Sequence, residues 1–216
     1  MTVKGVLIDW AGVLTTSMAE SINTWLVTDR IDAGHYTGVM REMIATAYGG
    51  EGVENPIHTL ERGEITALAF ETALAAELRT HDGVAPIAEG LLTRMFAGFL
   101  PVEAMFEMLR RAREAGYKTC LVSNSWGNEY DRTGWEDAFD AVVISGEVGM
   151  RKPEPRIFAH AVGLVGLEPA ECVFIDDIEA NIVAARELGF TGILHTHADT
   201  TITELETLLK VPLRPA

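Results

Sequence analysis

Five short apolar runs constrain the fold of this chain more than any other feature. The runs are Val3–Ile8, Thr119–Ser123, Ala141–Ser145, Cys172–Asp176 and Gly192–His195. Each is continuous rather than alternating, which is typical of strands that are buried on both faces of a parallel sheet. From the second run onward, stretches with helical spacing separate them. This alternation predicts an α/β fold, a doubly wound parallel sheet with helices on both faces.

Each helix predicted between these strands is followed by a glycine. They span Val102–Ala115, Arg156–Val165 and Ile178–Leu188. Glycine readily adopts the left-handed conformation that ends a helix. An amphipathic pattern at Glu64–Leu78 predicts a further helix. The glycine-containing stretch Tyr48–Pro56 is predicted to be a loop and not a phosphate-binding loop, because no strand precedes it and no lysine follows it.

The first predicted strand is followed by a long stretch, residues 16–95, that is rich in helix formers and has no strand pattern. Ser17 and Glu20 have the spacing of a capping box, which marks the start of a helix. We therefore predict two domains. Residues 1–15 and 96–216 form the core domain, and residues 16–95 form a helical cap domain inserted after the first strand.

The charge of the chain excludes one class of partner. Its 216 residues carry 32 acids against 17 bases, a formal charge of −15, so nucleic acid is not an expected partner. No apolar run approaches the roughly 20 residues that span a bilayer, and the N-terminal pattern is not that of a signal peptide. We expect a cytoplasmic protein without a membrane partner. The sequence leaves the oligomeric state open, with a homodimer as one possibility.

Polar side chains follow the predicted strands at their carboxyl ends, the edge where open parallel sheets bind ligands. They are Asp9 after the first strand, Ser123 and Asn124 after the second, Lys152 beyond the third, and Asp176 with Asp177 after the fourth. Three carboxylates at one edge repel one another unless a cation lies among them, and Mg²⁺ prefers oxygen ligands. A hydroxyl, backbone amides and a lysine suit a phosphoryl group, which an aspartate can attack. The pattern predicts Mg²⁺ and a small phosphorylated substrate.

Four motifs in order resemble those of the haloacid dehalogenase superfamily. They are Asp9 before a glycine turn, the Ser-Asn pair after the second strand, "KPEP" after the third, and "FIDDIEANIVAARELG". The stretches "VSNSW", "EVGMRKPEPRIF" and "FIDDIEAN" are most similar to the subfamily that includes the N-terminal phosphatase domain of soluble epoxide hydrolases. The resemblance covers the whole chain. It implies a Rossmann-like core, a helical cap after the first strand, and a Mg²⁺-dependent phosphatase that works through an aspartyl phosphate.

The resemblance also implies which residues bind the metal. Asp9 would be both the nucleophile and a Mg²⁺ ligand, and Ala11 would offer its backbone carbonyl to the metal. Asp176 and Asp177 would bind the metal directly or through water, and we expect Asp177 to be the closer ligand.

The same resemblance implies how the phosphoryl group is held. Ser123 and Asn124 would bind its oxygens. Lys152 would neutralise charge on both the nucleophile and the phosphate. The cap would close the site and select the substrate.

Ala11 departs from the family pattern. Family phosphatases carry a second aspartate at this position, two residues after the nucleophile, which protonates the leaving group and later activates water. Ala11 can do neither, and a positioned acid–base group contributes about 10²–10⁴-fold to a rate. Either the substrate has a good leaving group, such as an acyl or enol phosphate, or the acid comes from the cap, which contains His35, His58 and His81.

Three other functions are compatible with the residues. Phosphonate cleavage is suggested because "DWAG" is similar to motif one of phosphonoacetaldehyde hydrolase, but that enzyme needs a cap lysine for its imine, and residues 16–95 contain none. Carbon–halogen hydrolysis needs no acid, but haloacid dehalogenases lack the paired acids that Asp176 and Asp177 provide. A protein that binds a phosphorylated ligand or a protein partner without turnover is the third, although mere binding would not require Asp9.

Overall fold

The computed structural model describes residues 2–48, 55–127 and 130–215, with the backbone alone at residues 44–48. Its centre is a five-stranded parallel sheet with helices on both faces, which confirms the predicted α/β class. The strands are β1 Gly5–Ile8, β2 Lys118–Ser123, β3 Ala141–Ile144, β4 Cys172–Asp176 and β5 Thr191–Leu194. Each of the five apolar runs is therefore a strand, and β4 has the predicted bounds.

The strand order places β1 at the centre of the sheet. The order is β3-β2-β1-β4-β5, so the chain fills one side of β1 and then crosses to the other. Ile8, the last residue of β1, is level with Leu121 of β2 and Ile175 of β4. The residues that follow these three strands therefore meet at one edge, beside the point where the strand order reverses.

The helices that follow β1 are here termed the helical segment. They are α1 Met18–Thr28, α2 Ala33–Tyr48, α3 Pro56–Glu61, α4 Ala67–Glu77 and α5 Leu91–Phe96. Ser17 caps α1 through the predicted capping box with Glu20. The apolar sides of these helices pack on one another around buried Trp25 and Phe70. The helical segment therefore has a hydrophobic cluster of its own.

The helical segment differs from the sequence predictions in detail. The helix predicted at Glu64–Leu78 begins at Ala67, because Thr66 is extended and its side chain accepts a hydrogen bond from the first turn. Helix α5 runs across residue 95, the predicted end of the cap. The predicted loop Tyr48–Pro56 lies mostly outside the described residues. The division of the chain into two domains stays a prediction.

Further helices cover the two faces of the sheet. They are α6 Glu103–Glu114, α7 Trp135–Ala138, α8 Ser145–Val148, α9 Pro155–Val165, α10 Glu179–Glu187 and α11 Ala198–Leu209. Helices α6, α9 and α10 are the three predicted between strands, within one residue at each end. Among the described residues, no helix combines the length and the apolar character needed to cross a membrane.

Strand β1 shows how the two faces are buried. Its side chains alternate, since Val6 and Ile8 belong to the cluster with α6, α7 and α11, whereas Leu7 belongs to the cluster with α9 and α10. All three side chains are fully buried. Burial on both faces explains why the strands read as continuous apolar runs.

The chain leaves the sheet for the helical segment and returns at one place. Thr15 and Pro101 form an isolated antiparallel bridge. Beside it, the N–H of Thr16 donates to the carbonyl oxygen of Leu100 at 2.9 Å. The two connections between the helical segment and the sheet therefore run side by side and are hydrogen-bonded to each other.

Candidate active site

Asp9 is held at the centre of the sheet edge by the backbone around it. Its N–H donates to the carbonyl oxygen of Ile175 at 2.9 Å, which continues the pairing of β1 with β4. Its carboxylate oxygen Oδ1 accepts a hydrogen bond from the N–H of Trp10 at 2.7 Å. Because the side chain is also buried, protein groups and not solvent set its orientation.

Lys152 joins two of the carboxylates. Its Nζ lies 2.6 Å from Oδ1 of Asp9 and 2.8 Å from Oδ2 of Asp176, and the side chain is only 1% exposed. Burial alone would lower the pKa of Lys152, but the carboxylates of Asp176 and Asp9 outweigh burial and raise it. Lys152 is therefore a fixed cation at neutral pH, and its amine is not free to form an imine.

Asn181 fixes the carboxylate of Asp176. The Asn181 Nδ2 donates to both oxygens of Asp176, at 3.0 and 3.1 Å, and the N–H of Ile178 donates to Oδ1 at 2.8 Å. With Lys152 on Oδ2, both oxygens of this fully buried carboxylate have partners. Sequence reasoning missed Asn181, although a signal was present. Asn181 lies in the first turn of α10, where side chains lean back toward the end of β4.

Asp177 is the exposed member of a group of three carboxylates. One oxygen each from Asp9, Asp176 and Asp177 lie within 4.8 Å of one another. Burial raises the pKa of Asp9 to about 7, against the opposing effect of Lys152 and with the help of the two other acids. Burial and then Asp176 raise the pKa of Asp177 to about 6. Oxygen ligands this close fit a divalent cation such as Mg²⁺, because the negative charge of three carboxylates exceeds the single positive charge of Lys152.

Gly12 makes room for Asp177. Its φ of +77° lies in the left-handed region that favours glycine. A Cβ at this position would collide with Oδ2 of Asp177 and lie 3.1 Å from its Cγ. The turn after Asp9 therefore needs glycine both for its conformation and for the close approach of Asp177.

Ser123 and Asn124 follow β2 at the same edge, as predicted. The Ser123 Oγ lies 2.9 Å from the hydroxyl oxygen of Tyr130. Both ends of the Asn124 amide contact the backbone of Lys152, since Nδ2 donates to its carbonyl oxygen at 3.0 Å and Oδ1 accepts from its N–H at 2.8 Å. The Asn124 side chain therefore holds Lys152 in place, and its contact with phosphate stays a prediction.

A small cavity lies beside Ala11. Its volume of about 20 Å³ is enough for one water molecule. Its wall includes Ala11 and Ser123 and the rings of Trp10, Phe96, Trp126 and Tyr130. Trp126 comes shortly after the Ser123–Asn124 segment, so a place at the site could be expected for it, but sequence reasoning missed the other rings, which come from separate parts of the chain.

The three cap histidines do not line this cavity. His35 is exposed, with its Nε2 2.6 Å from the carbonyl oxygen of Glu77. His81 is exposed as well, and His58 lies on α3. No histidine is among the described residues that line the cavity. The structure therefore gives no support to the expectation that a cap histidine replaces the missing acid.

A buried ion pair joins the helical segment to the loop that carries Lys152. Glu61, the last residue of α3, pairs with Arg151 through Oε2 and Nε, and both side chains are almost fully buried. The indole N–H of Trp126 donates to Oε1 of Glu61 at 3.1 Å. These contacts hold α3 against the edge of the sheet next to the carboxylates.

The chain is similar to known hydrolases. It is 26% identical over 181 residues to bifunctional epoxide hydrolase 2 of Mus musculus, a match that covers 77% of this chain and 33% of that protein. It is 30% identical over 123 residues to flavin mononucleotide hydrolase 1 of Arabidopsis thaliana, which covers 56% of this chain and 50% of that protein. The matches thus span a third to a half of these curated relatives.

Solved structures share the fold. A HAD family enzyme of Bacteroides thetaiotaomicron, in complex with magnesium and inorganic phosphate, has a TM-score of 0.65 at 23% identity, over 90% of this chain and 94% of that one. The family model of haloacid dehalogenase-like hydrolases matches residues 3–189. With the four ordered motifs gathered at one sheet edge, the chain belongs to the haloacid dehalogenase-like hydrolase family.

Proposed function

We propose that this hydrolase is a Mg²⁺-dependent phosphatase that acts on a small phosphorylated molecule through an aspartyl phosphate on Asp9. The observation that carries the proposal is the contact of Lys152 with Asp9 and Asp176, with Asp177 close by. Phosphoryl transfer depends mainly on positioning and on neutralising charge, and this cluster supplies both. The names of relatives, a flavin mononucleotide hydrolase among them, agree with it.

In this proposal, the residues that would hold Mg²⁺ are Asp9, Asp177 and, through its backbone carbonyl, Ala11. Asp176 takes part directly or through water, and Asp177 is the closer ligand because the oxygens of Asp176 are already engaged by Asn181 and Lys152. When bound there, Mg²⁺ would supply positive charge to the clustered carboxylates and to the phosphoryl oxygens.

Each residue of the site then has its own role in the reaction. The carboxylate of Asp9 attacks phosphorus as the bond to the leaving oxygen breaks, and water later hydrolyses the acyl phosphate that results. The hydroxyl of Ser123 and the backbone amide of Asn124 hold the phosphoryl oxygens. Lys152 stays charged throughout and reduces the electrostatic repulsion between the Asp9 carboxylate and the phosphate. The helical segment acts as the cap that shields the site from water and selects the substrate.

Two alternative reactions fit the geometry less well. Imine-dependent phosphonate cleavage needs a neutral lysine, and Lys152 is held as a cation between Asp9 and Asp176. Carbon–halogen hydrolysis does not need the cation site that Asp9, Asp176 and Asp177 form together.

The test is phosphate release from a panel of aryl, acyl, sugar and alkyl phosphates, with and without Mg²⁺. We expect turnover that requires Mg²⁺ and is abolished in Asp9→Asn. The matched control is Asp199→Asn, the same substitution at an exposed position on α11, which should leave turnover unchanged. Turnover that persists in Asp9→Asn would place the nucleophile elsewhere. A silent panel, with binding of a phosphate analogue intact, would indicate a protein that binds without turnover.

A further inference from the structure

The cavity beside Ala11 contains an ionisable hydroxyl that neither the family pattern nor the proposed mechanism uses. We propose that Tyr130 is the acid–base group of this enzyme and replaces the aspartate that is absent at position 11. This inference rests on the proposed phosphatase function and deepens it, because it names the group that moves the protons.

Tyr130 lies next to a residue that is proposed to hold the phosphoryl group. Its hydroxyl oxygen is 2.9 Å from Oγ of Ser123, the residue that ends β2 beside Asp9. Tyr130 and Ala11 also line the same cavity. A phenol next to a hydroxyl that binds a phosphoryl oxygen can contact a second oxygen on phosphorus, and we assign Tyr130 to the one that leaves.

The ring of Tyr130 is held by other aromatic rings. Its centroid lies 5.6 Å from that of Trp10 and 5.7 Å from that of Trp135, both in edge contacts. Such contacts restrict rotation of the ring and favour a single orientation. Packing and the contact with Oγ of Ser123 therefore fix the position of the Tyr130 oxygen, and its proton can rotate toward a neighbouring oxygen when the phosphoryl group binds.

The rest of the cavity wall offers no comparable group. Besides Tyr130, its described residues are apolar or aromatic, apart from the hydroxyl of Ser123 and the amide of Asn124. The Asn124 amide is engaged by the backbone of Lys152. An alcohol such as Ser123 is a weaker acid than a phenol. Tyr130 is therefore the strongest acid among the described residues of this wall.

The protons balance over the two steps. When Asp9 attacks phosphorus, the bond to the leaving oxygen breaks, and the Tyr130 hydroxyl gives that oxygen its proton, which leaves an alcohol and a phenolate. In the second step a water molecule attacks phosphorus and gives one proton to the phenolate. The bond to Asp9 then breaks, which releases inorganic phosphate and restores the Asp9 carboxylate and the neutral phenol. The cavity of about 20 Å³ has room for that water.

The test uses Tyr130→Phe, which keeps the ring and removes only the hydroxyl. With alkyl phosphates, we expect kcat to fall by about 10²–10⁴-fold, the range for a positioned acid–base group. With nitrophenyl phosphate, whose leaving group needs no proton, we expect a stoichiometric burst of nitrophenolate followed by slow turnover, because only the activation of water is lost. The matched control is Tyr117→Phe, whose hydroxyl donates to the carbonyl oxygen of Leu209 away from the site. It should leave both substrates unaffected.

Several outcomes would overturn the inference. Equal losses for both substrates without a burst would mean that Tyr130 only positions Ser123. Turnover confined to good leaving groups in the wild type would mean that no acid operates. A wild type without any Mg²⁺-dependent turnover would refute the proposed function first, and the inference with it, before any Tyr130 variant is needed.

A rescue provides the second measurement. Adding Ala11→Asp to Tyr130→Phe places an acid at another position on the wall of the same cavity, and we expect it to recover alkyl phosphate turnover and remove the burst. If Tyr130→Phe folds poorly, difluorotyrosine placed at position 130 keeps the ring and the hydroxyl but makes the phenol a stronger acid. A proton-transfer role then predicts a shifted pH–rate profile, and an unchanged profile would contradict it.

Discussion

Glu61 and Arg151 form an ion pair in which both side chains are buried. The pair connects α3 to the loop that carries Lys152, because Arg151 directly precedes Lys152. Arg151 has one further nitrogen, Nη2, that is buried without a hydrogen-bond partner among the described residues. The charge of Arg151 therefore depends on Glu61 for its compensation. A buried pair of this kind is costly to break, since the partner that remains is an uncompensated charge.

Glu61→Gln keeps the shape of the side chain and removes its charge. We expect the free energy of unfolding to fall by about 3 kcal/mol or more, the cost of leaving one buried charge unpaired. The control is Glu147→Gln, which breaks the exposed pair of Glu147 with Arg132 and should cost less than about 1 kcal/mol. Urea denaturation of both variants measures the difference, and equal losses would contradict the account of the buried pair.

Gly12→Ala should weaken Mg²⁺ binding by at least about tenfold, a cost of about 1.4 kcal/mol, because the new methyl group displaces Asp177. Gly134→Ala is the matched control. Gly134 has a similar φ of +75°, but a Cβ there meets nothing within 4 Å. Both variants therefore carry the same backbone strain, and only one touches the carboxylate. Calorimetric titration with Mg²⁺ separates them, and unchanged affinity in Gly12→Ala would remove Asp177 from the metal site.

Ala11→Asp in the otherwise unchanged chain should raise the turnover of alkyl phosphates. The gain should be about tenfold, less than the full effect of an acid–base group, because Tyr130 already supplies part of that function. The same substitution should give a larger gain in the Tyr130→Phe background. Steady-state kinetics in saturating Mg²⁺ provide the measurement. No gain in a folded variant that binds Mg²⁺ would show that an acid at position 11 is not what limits the reaction.

Mg²⁺ affinity should rise with pH. In the metal-free protein, burial raises the pKa of Asp9 to about 7 and that of Asp177 to about 6, so protons compete with the metal below these values. Binding releases those protons, so affinity should increase from about pH 5 to about pH 8 and then level off. Titrations in buffers of different ionisation enthalpy measure the released protons. An affinity independent of pH across this range would contradict the raised pKa values.

The same pKa values set the pH dependence of stability without metal. A carboxyl whose pKa is raised in the folded state binds more protons there than in the unfolded chain, so the free energy of unfolding falls as pH rises toward about 7. Asp9→Asn should flatten this decline.

The sheet could be predicted from the sequence because its signals are local. Each strand is a continuous apolar run, and β4 matches the prediction at both ends because "CVFID" passes directly from buried residues to the acids. The meeting of Asp9, Lys152 and Asp176 also followed from sequence, since parallel strands bring their carboxyl ends to one edge.

The partners of these residues could not be predicted in the same way. Asn124 and Lys152 are 28 positions apart, and Glu61 and Arg151 are 90 apart. Their contacts depend on how α3 and the loops pack on the sheet, which helical periodicity does not specify. Asn181 is the exception, because the sequence already predicted the helix in whose first turn it lies, directly after the two acids.

The bridge between Thr15 and Pro101 brings the two ends of the helical segment together. A helical segment of another length can join the sheet at the same two residues, provided that it keeps Glu61 or that Arg151, its buried partner, is replaced with it. In the function proposed above, such an exchange would change which molecules are admitted and leave the residues that follow the strands in place. The bridged residues Thr15 and Pro101 are the place where a protein engineer would cut and rejoin this chain to exchange the helical segment.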